Sequence, residues 1–256
     1  MQVRLTAAVG TAILFGCSAL GAADGITITV DQRSTPTLAS VYDGSGESSF
    51  KFDPGDTPSD HMQVTLAALA GTSVGTSISQ LDSSYRDPAH MSGTANTSVT
   101  WAGTADTGAG AEYNVLFVLP TSYAFDFAGQ FEAGAGADSD DRYGRTYGAW
   151  GASLIDSDSN NIFEDLDQQT NGTAQFSRSH TGVLDPGTYA LQLFSQSSGT
   201  YDGPSSGSGA ANSSFAFTFD LTSVDDNPGA SPTPEPASLL LLGSGAIALL
   251  RYGRRG

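Results

Sequence analysis

Alternation of apolar and polar residues is the sequence feature that most limits what this chain can fold into. Near its C-terminal end, Phe215, Phe217 and Phe219 are separated by Ala216 and Thr218. Successive side chains of a strand point to opposite faces, so this pattern predicts a strand with one buried and one wet face. The same period of two recurs at residues 26–30, 113–119, 123–127 and 189–193.

Turn signals between the alternating segments favour antiparallel pairing. Asp53-Pro54-Gly55-Asp56 follows one short segment, and Pro186-Gly187 precedes another. Proline and glycine at such places make tight turns that reverse the chain. Only residues 62–70 and 162–168 have patterns that suit a helical turn or two. We therefore predict an all-β fold, built as an antiparallel β-sandwich.

The charge of the chain excludes nucleic acid as a partner. The sequence holds 27 acidic and 10 basic residues, for a formal net charge of −17. Four of the arginines and one glutamate lie in the two ends, so residues 24–233 carry a formal charge of −20. Such a surface repels phosphate backbones and attracts cations.

The first 23 residues resemble a secretory signal peptide. Arg4 precedes an apolar core over residues 5–16, and small residues follow up to Ala23, which is the usual order of charge, core and cleavage site. The alternative is lipoprotein processing at Cys17, although Phe15 is bulky where processing boxes usually have a small residue. Since Cys17 is the single cysteine, cleavage after Ala23 leaves neither a disulfide nor a thiolate nucleophile.

The C-terminal end combines a Pro-rich spacer, an apolar stretch and a basic tip. Residues 227–236 form the spacer, and residues 237–250 carry no charge. As a helix, the apolar stretch would be about 21 Å long, short of the roughly 30 Å hydrocarbon core of a bilayer. We predict a short, weakly inserting transmembrane helix and basic tail over residues 237–256, with the arginines on the cytoplasmic side.

These C-terminal features closely resemble the PEP-CTERM sorting signal of exopolysaccharide-producing bacteria. The residues that carry the resemblance are Pro234, Glu235, Pro236, Arg251, Arg254 and Arg255. The resemblance implies transient residence in the inner membrane of a Gram-negative bacterium and recognition by a membrane exosortase. It further implies delivery to the cell envelope or to extracellular polysaccharide. An ordinary C-terminal membrane anchor is the alternative.

A second resemblance covers residues 151–195 of the predicted ectodomain, residues 24–226. A strand, a polar turn and a returning strand are predicted within residues 152–163, and Asp185-Pro186-Gly187-Thr188-Tyr189 follows about twenty residues later. This arrangement is similar to that of jelly-roll modules of the bacterial pre-peptidase C-terminal type. The resemblance implies a jelly-roll-like sandwich with an accessory role rather than a chemical activity.

No motif in the sequence identifies a catalytic residue. Gly71-Thr72-Ser73-Val74-Gly75 fits G-x-S-x-G, but no strand-turn-helix alternation surrounds it, as a nucleophile elbow requires. His61, His90 and His180 are far apart and lack the spacing of metal ligands. We therefore predict a non-catalytic, secreted surface or matrix protein associated with exopolysaccharide.

The alternative function is a carbohydrate-binding module or a hydrolase acting on exopolysaccharide. Aromatic side chains stack on sugar rings, and the candidates are Trp101, Trp150, Tyr143, Tyr147 and Tyr201. Core packing is the commoner use of a tryptophan in a sandwich.

One acidic loop has the spacing of calcium ligands. Asp156, Asp158, Asn160, Glu164 and Asp167 occupy positions one, three, five, nine and twelve of a run that begins at Asp156. The alternative is a polar hairpin turn, since Asp, Asn and Ser are also turn formers. A second acidic loop with Asp138, Asp140 and Asp141 is a weaker candidate. No other cofactor is predicted.

The calcium hypothesis predicts a specific stabilisation. An ion that binds only the folded protein at 100 times its Kd adds about 2.7 kcal/mol, or roughly 5 to 10 °C in Tm for a domain of this size. Sodium chloride of equal ionic strength screens repulsion without filling a site, so it is the control. Asp156→Ala with Asp158→Ala should remove the excess. Equal Tm in calcium and in chelator would show that the loop is only a turn.

Overall fold

The computed structural model describes residues 25–42, 48–53, 58–137, 144–202 and 207–224, and these residues form 13 strands and no helix. The strands are β1 (Thr27–Asp31), β2 (Thr37–Tyr42), β3 (Ser48–Asp53), β4 (His61–Ala70), β5 (Ser73–Asp87), β6 (His90–Ala102), β7 (Thr104–Leu119), β8 (Tyr123–Ala137), β9 (Gly144–Asp156), β10 (Asn161–Gln169), β11 (Gly172–Leu184), β12 (Gly187–Tyr201) and β13 (Ser208–Ser223).

The strands form two antiparallel sheets packed face to face. Sheet 1 has the order β10-β9-β12-β7-β2-β3, and β1 also pairs with β7. Sheet 2 has the order β11-β8-β13-β6-β5-β4. Short β1 and β2 pair with successive parts of the same edge of the long strand β7. The predicted antiparallel β-sandwich is therefore confirmed.

The two segments expected to suit helical turns are strands, so that expectation is wrong. Residues 62–70 lie in β4, where buried and exposed side chains alternate and every residue pairs with β5. Residues 162–168 lie in β10, which pairs with β9. Alanine and leucine favour helices only weakly, and pairing with a neighbouring strand overrides that preference.

The G-x-S-x-G sequence spans a hairpin rather than a strand-to-helix elbow. Gly71, with a φ of 56°, lies in the turn that joins β4 to β5. Ser73 is the first residue of β5 and is buried. This context differs from that of the catalytic motif.

Aromatic rings from both sheets fill the core. Phe217 and Phe219 of β13 pack against Tyr113 and Phe117 of β7, with ring centroids 4.8 and 5.8 Å apart. Further along the sandwich, Trp150 of β9 stacks on Phe131 of β8 at 4.0 Å. Aromatic pairs in these geometries contribute about 0.5–1.5 kcal/mol each beyond the area that they bury.

A seam of small residues divides this large cluster from a second one around Trp101 and Tyr201. Within the seam, a Cβ atom on Gly148 would lie 2.1 Å from the carbonyl oxygen of Asn212, so only glycine fits there. Ser213 Oγ donates to the carbonyl oxygen of Ala149 at 2.7 Å. The hydroxyl of Thr97 lies 2.9–3.0 Å from those of Ser195 and Ser197. These contacts join the sheets by hydrogen bonds where no aromatic ring fits.

A buried arginine joins β1 to β5 at one side of the sandwich. Arg33 is 3% exposed and donates from Nε and Nη2 to the two carboxylate oxygens of Asp31, at 2.9 and 2.8 Å. Its Nη1 donates to Ser83 Oγ at 2.8 Å, and Tyr85 donates to Asp31 at 2.9 Å. Burial raises the pKa of Asp31, but the hydrogen bonds from Arg33 and Tyr85 outweigh it and hold that pKa below its usual value.

The register of β13 can be tested with two neighbouring substitutions. Phe217 is buried, whereas Thr218 is exposed on the opposite face of the strand. Phe217→Asp removes a core ring and buries an unpaired charge, so we expect a loss of more than about 4 kcal/mol in the free energy of unfolding. Thr218→Asp should change it by about 0.5 kcal/mol or less. Equal melting temperatures for the two variants would contradict this register.

Removal of the buried arginine should be costly and pH-dependent. Arg33→Gln leaves the Asp31 carboxylate without its main partner, so we expect a loss of about 3–5 kcal/mol near neutral pH. Because the folded pKa of Asp31 is lowered, the stabilisation is present above its unfolded pKa and is lost as the pH falls through the folded pKa. The difference in unfolding free energy between wild type and variant should therefore shrink in acid.

The exposed Arg145 provides the matched control for this experiment. Arg145→Gln should cost about 0.5 kcal/mol or less at every pH. A loss for Arg33→Gln that is equally small, or that does not change with pH, would contradict the proposed role of the ion pair.

Candidate functional site

The first three calcium candidates lie together in the hairpin turn between β9 and β10. Asp156 Oδ1 accepts hydrogen bonds from the backbone N–H groups of Asp158 and Asn160, both at 2.9 Å. Its Oδ2 accepts from the side-chain amide of Asn160, also at 2.9 Å. The hydrogen bonds from Asn160 lower the pKa of Asp156. The Asp156 carboxylate therefore organises the turn itself.

The other two calcium candidates lie further along β10. Glu164 pairs with Ser153 and Asp167 with Trp150. At about 3.4 Å per strand residue, Asp167 is displaced roughly 20 Å along the ladder from Asp156. Glu164 and Asp167 also point to opposite faces of the strand, because they are three residues apart. The five residues thus do not share one ligand shell, and no other metal-ligating group of three or more His, Cys, Asp or Glu occurs in the described residues.

Calcium binding by the turn, through Asp156, Asp158 and Asn160, stays a prediction. The second acidic loop, with Asp138, Asp140 and Asp141, lies outside the described residues.

Each histidine is paired with an aspartate, at three separate places. His61 of β4 contacts Asp82, directly opposite it on β5. His90 lies 2.6 Å from Asp220, which raises the pKa of the imidazole. His180 of β11 lies 2.6 Å from Asp165 of β10. Because the three pairs are separate, the histidines do not form a shared catalytic or metal centre.

The pair of His180 and Asp165 is part of a clasp between the edge strands of the two sheets. Arg178 of β11 donates to the other carboxylate oxygen of Asp165 at 3.1 Å. The His180 ring stacks on Phe163 of β10, with centroids 4.4 Å apart and an angle of 2° between the planes. Arg178 lies over the ring of Trp150 at 5.6 Å. These contacts close the side of the sandwich opposite Arg33.

The aromatic residues suggested for sugar stacking are mostly in the core. Trp101, Trp150 and Tyr201 are 3%, 0% and 2% exposed, so their faces do not reach a ligand. Tyr147 is partly exposed on the outer face of sheet 1. Tyr143 lies outside the described residues.

A concave site in the described part of the chain is a groove on the outer face of sheet 2. It has a volume of about 580 Å³ and crosses four adjacent strands, each of which contributes three residues. We call it the outer groove and define it by residues 82–84 of β5, 92–94 of β6, 216–218 of β13 and 128–130 of β8. At about 4.8 Å between strands, it is roughly 14 Å long across the sheet.

The groove lies above a point where β6 and β8 each have a glycine, and so no side chain, facing the core. Gly93 and Gly129 both pair with Phe217, and all three residues face the core. A Cβ atom on Gly93 would lie 2.9 Å from the Phe217 ring, and one on Gly129 would lie 2.5 Å from the Phe131 ring. Glycine therefore leaves room for core rings beneath the groove. On the outer face, Ala128 and Ala216 have short side chains that do not fill the groove.

The outer face around the groove carries rows of mostly uncharged polar side chains, with one carboxylate in each of two neighbouring rows. One row, read across the strands, contains Asp82, Thr94, Ala216 and Gln130; the next contains Gln80, Asn96, Ser214 and Glu132. Asp82 contacts His61 and accepts from Gln80 at 2.7 Å, and the hydrogen bond from His61 lowers its pKa. Glu132 accepts from Gln175 and Asn212, each at 2.9 Å. Both carboxylates in these rows are thus bound by neighbours.

Sequence reasoning missed this surface because its residues are scattered over four strands. Ser, Thr, Asn and Gln at alternate positions were a signal of wet strand faces. Only the strand order could show that those faces adjoin.

The six residues of the predicted sorting motif lie outside the described residues, as do the predicted signal peptide and Cys17. Within the residues that the structure describes, no helix has the length and apolar character needed to cross a membrane. The predicted helix over residues 237–256 is not among them.

Several solved structures are similar to parts of this chain at low sequence identity. One described as "CBM4 structure and function" is 13% identical, covering 62% of this chain and 78% of its own, with a TM-score of 0.20. TmCBM61 in complex with beta-1,4-galactotriose is 9% identical, covering 57% and 88%, with a TM-score of 0.20. Bacteriophage CBA120 tailspike protein 4 is 12% identical, covering 64% and 20%, with a TM-score of 0.21. Scores this low establish neither a shared fold nor a shared ligand.

No curated protein matches the chain in sequence. The family model described as the PEP-CTERM protein-sorting motif matches residues 232–255. This range contains all six residues predicted to form the sorting signal, from Pro234 to Arg255. The chain therefore carries a PEP-CTERM protein-sorting motif at its C-terminal end.

Proposed function

We propose that this protein is a non-catalytic surface or matrix protein whose β-sandwich associates with exopolysaccharide. The observation that carries the proposal is the PEP-CTERM motif over residues 232–255. The motif implies export, processing by an exosortase and passage to the cell envelope. Exopolysaccharide is the partner that we propose for the sandwich at that destination, outside the inner membrane of a Gram-negative cell.

The character of the sandwich surface supports a binding role. The outer groove is lined by small and hydroxyl-bearing residues, and Asp82 is the one carboxylate among its lining residues. Glycoside hydrolysis usually needs two carboxyl groups about 5 to 10 Å apart across the scissile bond. The groove therefore suits a bound polymer better than a cleavage reaction.

The long antiparallel strands support a structural role in the same way. β7 and β13 each have 16 residues. β13 pairs along most of its length with β6 and β8, and β7 pairs with β12 on one edge and with β1 and β2 on the other. The sandwich thus has a broad, regular outer surface. Such a surface suits contact with a long polymer.

The sorting step can be tested in the native host. Replacement of Pro234, Glu235 and Pro236 by alanine removes the rigid, charged element of the motif and leaves the described sandwich unchanged in sequence. We expect the full-length variant to accumulate in the inner membrane, while the wild type reaches the extracellular fraction with a lower mass. The measurements are cell fractionation and mass spectrometry. Equal location and equal mature mass would contradict exosortase sorting.

Association with the matrix is tested in the same cultures. The wild type should remain with the extracellular polysaccharide on gel filtration and should shift to its own size after the polysaccharide is digested. The Arg145→Gln variant, which changes one exposed charge on sheet 1, should elute like the wild type. It checks that the association does not depend on that one surface charge. Elution at the size of the free protein before digestion would contradict the proposed partner.

A further inference from the structure

We propose that the outer groove binds a segment of uncharged polysaccharide and discriminates against acidic polysaccharides. This inference names the ligand class for the proposed function and rests on it.

The size and position of the groove fit a section of polymer. Its volume of about 580 Å³ lies within the roughly 300–1,000 Å³ of typical ligand sites. It runs across β5, β6, β13 and β8 in the middle of sheet 2, with β4 and β11 at its two ends. A chain laid along the groove could continue over both edge strands, so the site does not require a free chain end.

The chemistry of the lining fits a sugar ring, which has apolar C–H faces and a polar rim of hydroxyl groups. The methyl groups of Ala128 and Ala216, with the backbone beside Gly93 and Gly129, form an apolar floor. Hydroxyl and amide groups stand next to that floor, on Ser84, Ser92, Thr94, Thr218 and Gln130. Pockets that are mostly apolar with a few fixed polar groups are the usual arrangement for small polar ligands.

Several lining groups retain hydrogen-bonding capacity. Gln130 accepts a hydrogen bond from Ser177 through Oε1 at 2.8 Å, which leaves its amide N–H groups as donors. Asp82 accepts one hydrogen bond at each carboxylate oxygen, from His61 and from Gln80. Each carboxylate oxygen has a second lone pair, so Asp82 can also accept from a sugar hydroxyl.

The charge of the surroundings determines which polysaccharide fits. The ligand would meet rows of hydroxyl and amide groups, with Asp82 as the charged lining residue. The described lining residues include no arginine or lysine to pair with a uronate, sulfate or phosphate. The protein as a whole carries a formal net charge of −17, which repels a polyanion at long range. An uncharged polymer needs no basic partner in the groove and is not repelled by the net charge of the protein.

A matched pair of variants on β6 tests the groove. Thr94 and Thr100 are both exposed on the outer face of this strand, about 20 Å apart at about 3.4 Å per residue. Thr94→Asp places a second carboxylate in the groove, opposite Asp82 on the neighbouring strand. Thr100→Asp makes the same chemical change outside it. Melting curves check that both variants fold.

The assay is affinity electrophoresis of the full chain in detergent, in gels that contain one polysaccharide each. Neutral glucan, galactan and mannan form one set, and alginate and hyaluronan form the acidic set. We expect at least one neutral polymer to retard the wild type with an affinity at least tenfold higher than that of either acidic polymer. Thr94→Asp should lower that affinity at least tenfold, and Thr100→Asp less than twofold.

Three results would overturn the inference: no retardation by any neutral polymer, equal retardation by acidic polymers, or equal effects of the two substitutions. Binding to native extracellular polysaccharide then shows whether the inference alone has failed or the proposed function as well. If the wild type and Thr94→Asp bind it equally, the groove is not the site although matrix association holds. If the wild type does not bind it at all, the proposed function itself is wrong.

Discussion

Contact between the two aromatic inner faces is the interaction on which the rest of this structure depends. Rings such as Phe117, Phe127, Phe217 and Phe219 are almost fully buried, and burial of each contributes about 1.5–3 kcal/mol. No disulfide occurs in the described residues, which contain no cysteine. Since the inner face supplies the stability, the outer face is left with few packing constraints. Rows of hydroxyl and amide groups, and a groove above the two glycines that flank Phe217, are compatible with the fold for this reason.

The strands with aromatic inner faces could be predicted from the sequence, and those with small inner residues could not. The segment from Phe215 to Leu221 alternates strongly, and it lies in β13 with the expected face buried. By contrast, the inner positions of β5 include Ser77, Ser79 and Ser83. A serine can be buried there because its hydroxyl forms a hydrogen bond with a group on the facing sheet, as the hydroxyls of Ser79 and Thr37 do at 2.8 Å. Such partners are far apart in sequence, so alternation of Ser with Thr or Gln does not show which of the two faces is buried.

The sorting motif could also be predicted from the sequence, whereas the surface of the sandwich could not. Pro234-Glu235-Pro236, the apolar stretch and the arginines are contiguous, so one sequence was enough to identify them. The ion pair of Arg33 depends on Ser83, fifty residues away, and the outer groove depends on strands from four parts of the chain. The calcium candidates show the converse. Their spacing along the sequence suits one loop, but Glu164 and Asp167 lie in a strand and are therefore far along the ladder from Asp156.

The position of β13 has a consequence for how the chain reaches its folded state. This strand lies between β8 and β6, so sheet 2 consists of two separate pieces until residues 208–223 insert. It is also the last strand along the chain, and only residues 224–231 lie between it and the sorting motif. Folds that depend on such distant pairings form in about milliseconds to seconds. Until residues 208–223 insert, the edges of β8 and β6 that they later cover are unpaired and open to pairing with other chains.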